Sequence, residues 1–226
     1  MILREIGMLA IPNSRSTCYL QRLIENDYLP SFVIILQASQ QMLTPGQRLE
    51  DLEGAFVQSL IENSIDYSIV STININSSEV VENLKKRHEK FFIYSGPGGA
   101  ILKKEILNIG KKFLHIHPGR LPAFRGSTTI YYQILAESQC GVSAIILDEK
   151  IDTGPIIASE NYPLPQNIDL DYEYDPMIRA DLLIKVIDQF VKRGEFSVKH
   201  QSQEAGETYY IMHPLLRHIV KMRLEK

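Results

Sequence analysis

The sequence predicts a doubly wound α/β fold, a mostly parallel sheet with helices on both faces. Short apolar runs sized for buried strands alternate with longer segments whose apolar residues recur at helical spacing, and the connections between them are short. The composition, 44% hydrophobic and 23% charged, is that of a globular core. With 226 residues the chain has room for one substantial domain and an appendage, expected at 1–193 and 194–226.

Glu5 to Ile11 reads as the first strand, followed by a Pro12-Asn13-Ser14 loop and a helix that turns Leu20, Leu23 and Ile24 inward. Phe32 to Leu36 is a continuous apolar run suited to a strand covered on both faces. Gln47 to Asn63 carries Leu49, Leu52, Phe56, Leu60 and Ile61 at helical spacing, and Tyr67 to Val70 follows as a strand. Ser77 and Ser78 offer N-caps for a helix through Lys90 with Val80, Val81 and Leu84 facing inward. Strand Phe91 to Tyr94, helix Ile101 to Asn108 and strand Lys112 to His117 complete a Rossmann-like alternation. Beyond a Pro- and Gly-punctuated loop, Pro118 to Gly126, a helix is expected near Thr128 to Glu137. Strands follow at Val142 to Leu147 and Pro155 to Ser159, then a linker at Pro163 to Gln166, a helix from Tyr172 to Val191 and a tail from Gly194.

A formal charge of −3 carries no polyanion-binding signal, so nucleic acid is not the expected partner. The one basic concentration, Arg217, Lys221, Arg223 and Lys226, reads as a solvated helix face. Cys18 and Cys140 lie far apart with no ligand at metal spacing, which fits a reducing cytoplasm and neither a zinc site nor a disulfide framework. The start, Met1 to Pro12, is too short and too interrupted by Arg4 and Glu5 for a signal peptide or a membrane span.

Chemistry concentrates at the end of the fifth strand. Alternation in Phe113-Leu114-His115-Ile116-His117-Pro118 puts His115 and His117 on one side, and open α/β sheets bind ligands at the carboxyl ends of their strands. The pair equally fits one core histidine and one loop residue. A metal pair is disfavoured because no carboxylate or third histidine stands near it in the sequence. Asp148-Glu149-Lys150-Ile151-Asp152-Thr153-Gly154-Pro155 forms an acidic loop, which alone also reads as a solvated turn. Ser95-Gly96-Pro97-Gly98-Gly99 matches neither the dinucleotide fingerprint nor the P-loop.

Together these segments resemble one family. Leu114-His115-Ile116-His117-Pro118-Gly119-Arg120-Leu121-Pro122-Ala123-Phe124-Arg125-Gly126 is similar to the signature of the 10-formyltetrahydrofolate-dependent formyltransferases, in which Asn-x-His-Pro-Ser-Leu-Leu-Pro leads to Arg-Gly. Ile151-Asp152-Thr153-Gly154 resembles their Leu-Asp-Thr-Gly motif, and Gly141-Val142-Ser143-Ala144 stands where they carry Gly-Val-Thr or Gly-Thr-Ser. The resemblance extends back through Phe92 to Asn108 and loosens before residue 90.

The resemblance implies a Rossmann-like fold and formyl transfer from 10-formyltetrahydrofolate without a metal. It places the catalytic His at His117 and the catalytic Asp at Asp152, and it puts His115 where the family has Asn. A neutral imidazole N–H can donate one hydrogen bond, as an amide can, so His115 is expected to keep the role of oxyanion donor. The cofactor pterin is expected against Gly98, Gly99, Ile101 and Ile106, and against Leu147, Asp148, Glu149 and Lys150. Asn13, Ser14 and Arg15 are candidates to meet a substrate phosphate.

Three acceptors compete within the family. The methionyl-tRNA enzymes carry a further C-terminal domain for which the length here leaves no room. Glycinamide ribonucleotide enzymes are near this length, but Gln203-Glu204-Ala205-Gly206-Glu207-Thr208-Tyr209-Tyr210-Ile211-Met212-His213-Pro214 and Ser127-Thr128-Thr129-Ile130-Tyr131-Tyr132 look more like the amino-sugar branch. The expected substrate is a UDP- or dTDP-linked amino sugar, handled by a cytoplasmic protein for which a homodimer is one expected assembly. Glycinamide ribonucleotide transfer and an inactive folate-binding relative are the alternatives.

Overall fold

A computed structural model describes residues 1–37, 49–202 and 205–224. The chain forms two compact units, 1–114 and 115–226.

The first unit opens with β1 (Ile2–Leu3) and the fully buried β2 (Ile6–Ala10). Asn13 caps α1 (Ser14–Glu25), its side chain accepting from the Ser16 amide at 2.8 Å, and the helix buries Tyr19, Leu20 and Leu23 while Ile24 is half-buried. After β3 (Leu29–Pro30), which pairs with β1, comes β4 (Val33–Leu36), buried throughout as its unbroken apolar run predicts. The predicted helix start at Gln47 lies outside the described residues. From Leu49 the helix α2 (Leu49–Glu62) is present and buries Phe56 and Leu60, but Ile61 faces outward. β5 (Tyr67–Val70) and α3 (Ser78–Lys85) follow, the latter capped by Ser77 as predicted. It stops short of the expected Lys90 because the chain must turn to enter β6 (Phe91–Ser95). α4 contracts to one turn (Lys104–Leu107), and β7 (Lys112–His117) has the predicted limits.

The five strands of this unit's main sheet are parallel, in the order β7-β6-β2-β4-β5. The chain starts in the middle of the sheet at β2, winds outward to β5 and returns through β6 on the other side. The topological switch therefore lies between β2 and β6, the position where ligands enter open α/β sheets. The loops leaving those two strands carry Asn13 to Arg15 and Gly96 to Gly99.

In the second unit, β7 ends at His115 to His117. The loop expected from Pro118 to Gly126 contains a short strand, β8 (Phe124–Gly126). α5 (Thr129–Glu137) leads to β9 (Cys140–Ile146), buried from Cys140 to Ile145, and β10 (Ile156–Tyr162) returns antiparallel to it. One π-helical turn, Leu170–Tyr174, introduces α6 (Asp175–Arg193), which buries Ile178, Leu182, Leu183, Val186, Ile187 and Phe190 and ends at Gly194 with φ 77°. The tail pairs as β11 (Glu207–Tyr209), parallel to β8, and ends in α7 (Pro214–Leu224).

The basic residues of α7 depart from the expectation of a purely solvated face. Arg217 Nη2 lies 3.0 Å and Lys221 Nζ 2.8 Å from Asp171 Oδ2, and the Tyr131 hydroxyl donates to Asp171 Oδ1 at 2.7 Å. These contacts pin α7 to the π turn. Lys226, the last member of that group, lies outside the described residues.

One buried charge ties the first unit together. Glu89 accepts from Ser31 Oγ at 2.9 Å and from Arg87, whose guanidinium stacks on Phe32 at 3.5 Å. Burial alone would push its carboxyl up, but the hydrogen bonds from Arg87, the backbone and Ser31 outweigh it and hold the group below the usual carboxylate range. A pKa depressed in the folded state gives stability that is present above the ordinary value near 4.5 and lost as pH falls toward the folded one. Glu89→Ala is expected to cost about 2 kcal/mol, and Glu89→Gln to flatten the acid side of the stability profile. Urea unfolding of both variants across pH 3 to 7 (roughly the carboxylate range) checks this.

Candidate active site

In the second unit, the alternation of β7 puts His115 and His117 on one side of the strand, with ring centroids 6.3 Å apart. Asp152, thirty-five positions later in sequence (152 − 117), comes to the same place. Its Oδ2 lies 3.3 Å from His117 Nδ1 and accepts from the Gly126 amide at 2.9 Å. The far nitrogen of His117, Nε2, lies 2.7 Å from the Phe124 carbonyl. A carbonyl only accepts, so Nε2 carries the hydrogen of that contact. The His117 side chain is 2% exposed. His115 is half-buried.

Local backbone chemistry sets this arrangement. Asp152 has φ 52°, the left-handed region that Asp tolerates better than most residues, and the turn aims its carboxylate back at β7. Gly126 has φ 102°, and a Cβ there would strike the Tyr209 carbonyl of β11. The Arg-Gly pair thus supplies an amide for Asp152 where only glycine lets β8 and β11 approach. Burial alone would raise the Asp152 carboxyl, but His117 beside it, helped by His115 and the Gly126 amide, holds it well below the usual carboxylate range.

The tail completes the surroundings, which sequence reasoning missed. Gln201 Nε2 donates to the carbonyls of Asp152 at 3.0 Å and Gly154 at 2.6 Å, and Arg125 donates to Gln201 Oε1 at 3.1 Å and to the Ser202 carbonyl at 3.0 Å. Nothing in the spacing of a lone Gln seventy-five residues beyond Gly126 (201 − 126) signals such contacts. In the acidic loop, Asp148 accepts from Thr153 Oγ1 at 2.8 Å and the Lys150 amide at 3.1 Å, which closes the turn. Leu147 and Asp148 are half-buried, while Glu149 and Lys150 are exposed.

In the first unit, the predicted phosphate loop is internally engaged. Asn13 is the α1 cap, and Arg15 donates to Ser95 Oγ at 2.9 Å and to the Gly96 carbonyl at 2.6 Å, which joins the two loops of the switch point. Ser14 begins the helix, half-buried. A cleft of about 410 Å³, within the size range of small-molecule sites, is lined by residues that include Ile75, Asn76, Gly99, Ile101 and Lys103. Gly99 and Ile101 belong to the predicted cofactor set, Gly98 is exposed nearby, and Ile106 is fully buried in the core. Asn76, also missed from sequence, braces this loop. Its Nδ2 donates to the Ile101 carbonyl at 2.9 Å and its Oδ1 accepts from the Lys103 amide at 2.8 Å. Among the described residues no helix is long and apolar enough to cross a membrane.

Comparison with known proteins agrees with this architecture. Residues 66–174 match the formyl transferase family, a segment that includes His115, His117 and Asp152. Through that segment, just under half of its length, the chain is similar to the formyl transferase family. A methionyl-tRNA formyltransferase of Finegoldia magna is 29% identical over 190 residues, which is 83% of this chain and 59% of the relative. The chain thus spans less than two thirds of that relative's length. A solved phosphoribosylglycinamide formyltransferase from Bacillus halodurans is similar at a TM-score of 0.59 and 22% identity, with 84% of this chain and 96% of that one covered. An N-formyltransferase from Helicobacter canadensis, in complex with folinic acid and dTDP-3-aminofucose, is similar at 0.58 and 16% identity, covering 93% and 71%. At these identities the structural likenesses establish the fold.

Gln201→Ala is expected to release the Asp152 to Gly154 backbone and lower stability by about 1–2 kcal/mol, the worth of two hydrogen bonds whose carbonyl partners stay part-buried. Chemical denaturation measures the loss, and faster amide exchange from Asp152 to Gly154 would locate it.

Proposed function

We propose that this protein transfers a formyl group from 10-formyltetrahydrofolate to the amine of a nucleotide-linked amino sugar. The observation that carries the reading is the grouping of His115, His117 and Asp152 at the carboxyl end of β7, in the segment that matches the formyl transferase family. The acceptor rests on the tail and the Ser127 to Tyr132 segment, with the dTDP-sugar complex of the Helicobacter canadensis relative in support.

In this reaction the amine attacks the formyl carbon, an oxyanion develops on the formyl oxygen, and the new C–N bond replaces the bond to the tetrahydrofolate nitrogen. The nucleophile loses a proton and the departing nitrogen gains one. In the proposal the half-buried His115 donates to the oxyanion, and the His117–Asp152 pair takes up and passes on the proton. On the same reading the Leu147 to Lys150 turn of the second unit contacts the folate. Asn13, Ser14 and Arg15 are the proposed phosphate-side contacts.

5-Formyltetrahydrofolate, a stable analogue, is expected to raise the thermal midpoint at saturation, and transfer to UDP- or dTDP-linked amino sugars to exceed transfer to methionyl-tRNA. Efficient turnover of glycinamide ribonucleotide would replace the acceptor while keeping the reaction, and an absent midpoint shift would remove the folate.

His115 has its own test. His115→Ala is expected to lower kcat by about 10²-fold with little change in folate affinity, because the interaction strengthens mainly in the transition state, and His115→Asn to retain more activity than Ala. Steady-state kinetics of the two variants beside the parent decides; equal activity in all three would move the oxyanion donor elsewhere.

A further inference from the structure

The three side chains at the end of β7 form a donor set that an Asn in place of His115 would not provide. One ligand atom from each of His115, His117 and Asp152 lies within 4.8 Å of the other two. The sequence argued against a metal because no carboxylate stands near the histidines along the chain; folding supplies one from the turn after β9.

Two features go beyond proximity. The first is the tautomer of His117. Its Nε2–H is committed to the Phe124 carbonyl, so a neutral ring turns the Nδ1 lone pair toward Asp152 Oδ2, an anionic acceptor 3.3 Å away. Two lone pairs at that distance repel unless a positive charge lies between them, either a second ring proton or a cation. The second is the outer set of hydrogen bonds. Metal-bound histidines characteristically give their other N–H to a carbonyl or carboxylate, and bound carboxylates are themselves hydrogen-bonded. His117 meets the first condition through Phe124, and Asp152 the second through the Gly126 amide at 2.9 Å.

The dimensions suit a small borderline ion. Bonds of about 2.0–2.2 Å separate tetrahedral ligands by about 3.4 Å, close to the 3.3 Å His117–Asp152 separation, and the His115 ligand atom lies within 4.8 Å of both. Two imidazoles with one carboxylate favour zinc-class ions over magnesium or calcium, which prefer all-oxygen sets. We infer that His115, His117 and Asp152 bind one zinc-class divalent ion, with His115 as the ligand that sets this chain apart from family members with Asn at that position. The inference stands on the side-chain geometry and is independent of the formyl acceptor. An ion so placed would occupy the lone pairs that proton transfer requires, so zinc is expected to inhibit formyl transfer.

The test uses the full chain stripped by chelator and then titrated with Zn²⁺ by calorimetry and with Co²⁺ by visible absorption. The expected result is one equivalent bound and an intense four- or five-coordinate cobalt spectrum. His115→Asn should weaken zinc at least tenfold and abolish that spectrum, while His88→Asn, a change at an exposed histidine on the other unit, leaves both unchanged. Failure to bind zinc, or equal binding by wild type and His115→Asn, overturns the inference and assigns the charge between His117 and Asp152 to a proton. Because His115→Asn alters a half-buried ring and keeps a polar side chain, circular dichroism of that variant separates lost ligation from lost folding.

Discussion

Asp152 Oδ2 faces two partners at once, the Gly126 amide and the His117 ring, and much of the second unit serves to keep that oxygen where both can reach it. The left-handed backbone at Asp152 turns the carboxylate toward β7, and the missing side chain at Gly126 lets β8 present its amide while β11 passes close by. Gln201 then holds the same loop by its carbonyls. A buried carboxylate with fewer partners would take up a proton and lose its grip on His117. Satisfying its lone pairs is what allows the charge to persist.

Much of the fold was legible because its central strands, β2, β4 and β6, are buried on both faces. Runs such as Val33–Leu36 and Phe91–Ser95 have no polar interruption, and β7 emerged with its limits intact since Lys112 and Pro118 bound an alternating segment. The losses are of a different kind. β8 and β11 are three residues each and join positions more than eighty apart, and neither has a pattern that an isolated segment could reveal. The segment Ile101 to Asn108 has apolar residues at helical spacing, but Ile101 and Lys103 line the cleft beside Asn76, and only the turn Lys104–Leu107 is helical.

The site divides in the same way. His115, His117 and Asp152 could be named from sequence because their motifs are local, whereas the partners that orient them, Phe124 through its carbonyl and Gln201 through its amide, act across the fold. Backbone carbonyls leave no trace in residue identity. The metal question illustrates the point: spacing along the chain put a carboxylate out of reach, and the turn following β9 brought it within 4.8 Å of both rings.

The parallel pairing of β11 with β8 has a consequence in time as well as in space. A ribosome adds roughly 5–20 residues per second, so several seconds separate the synthesis of Asp152 from that of Tyr209. During that interval the Asp152 loop has its histidine but neither Gln201 nor the strand beside Gly126. The reactive corner of the protein therefore matures late on the nascent chain, after the parallel sheet of the first unit has had time to form, and a pause in translation within α6 would lengthen the life of the half-built site.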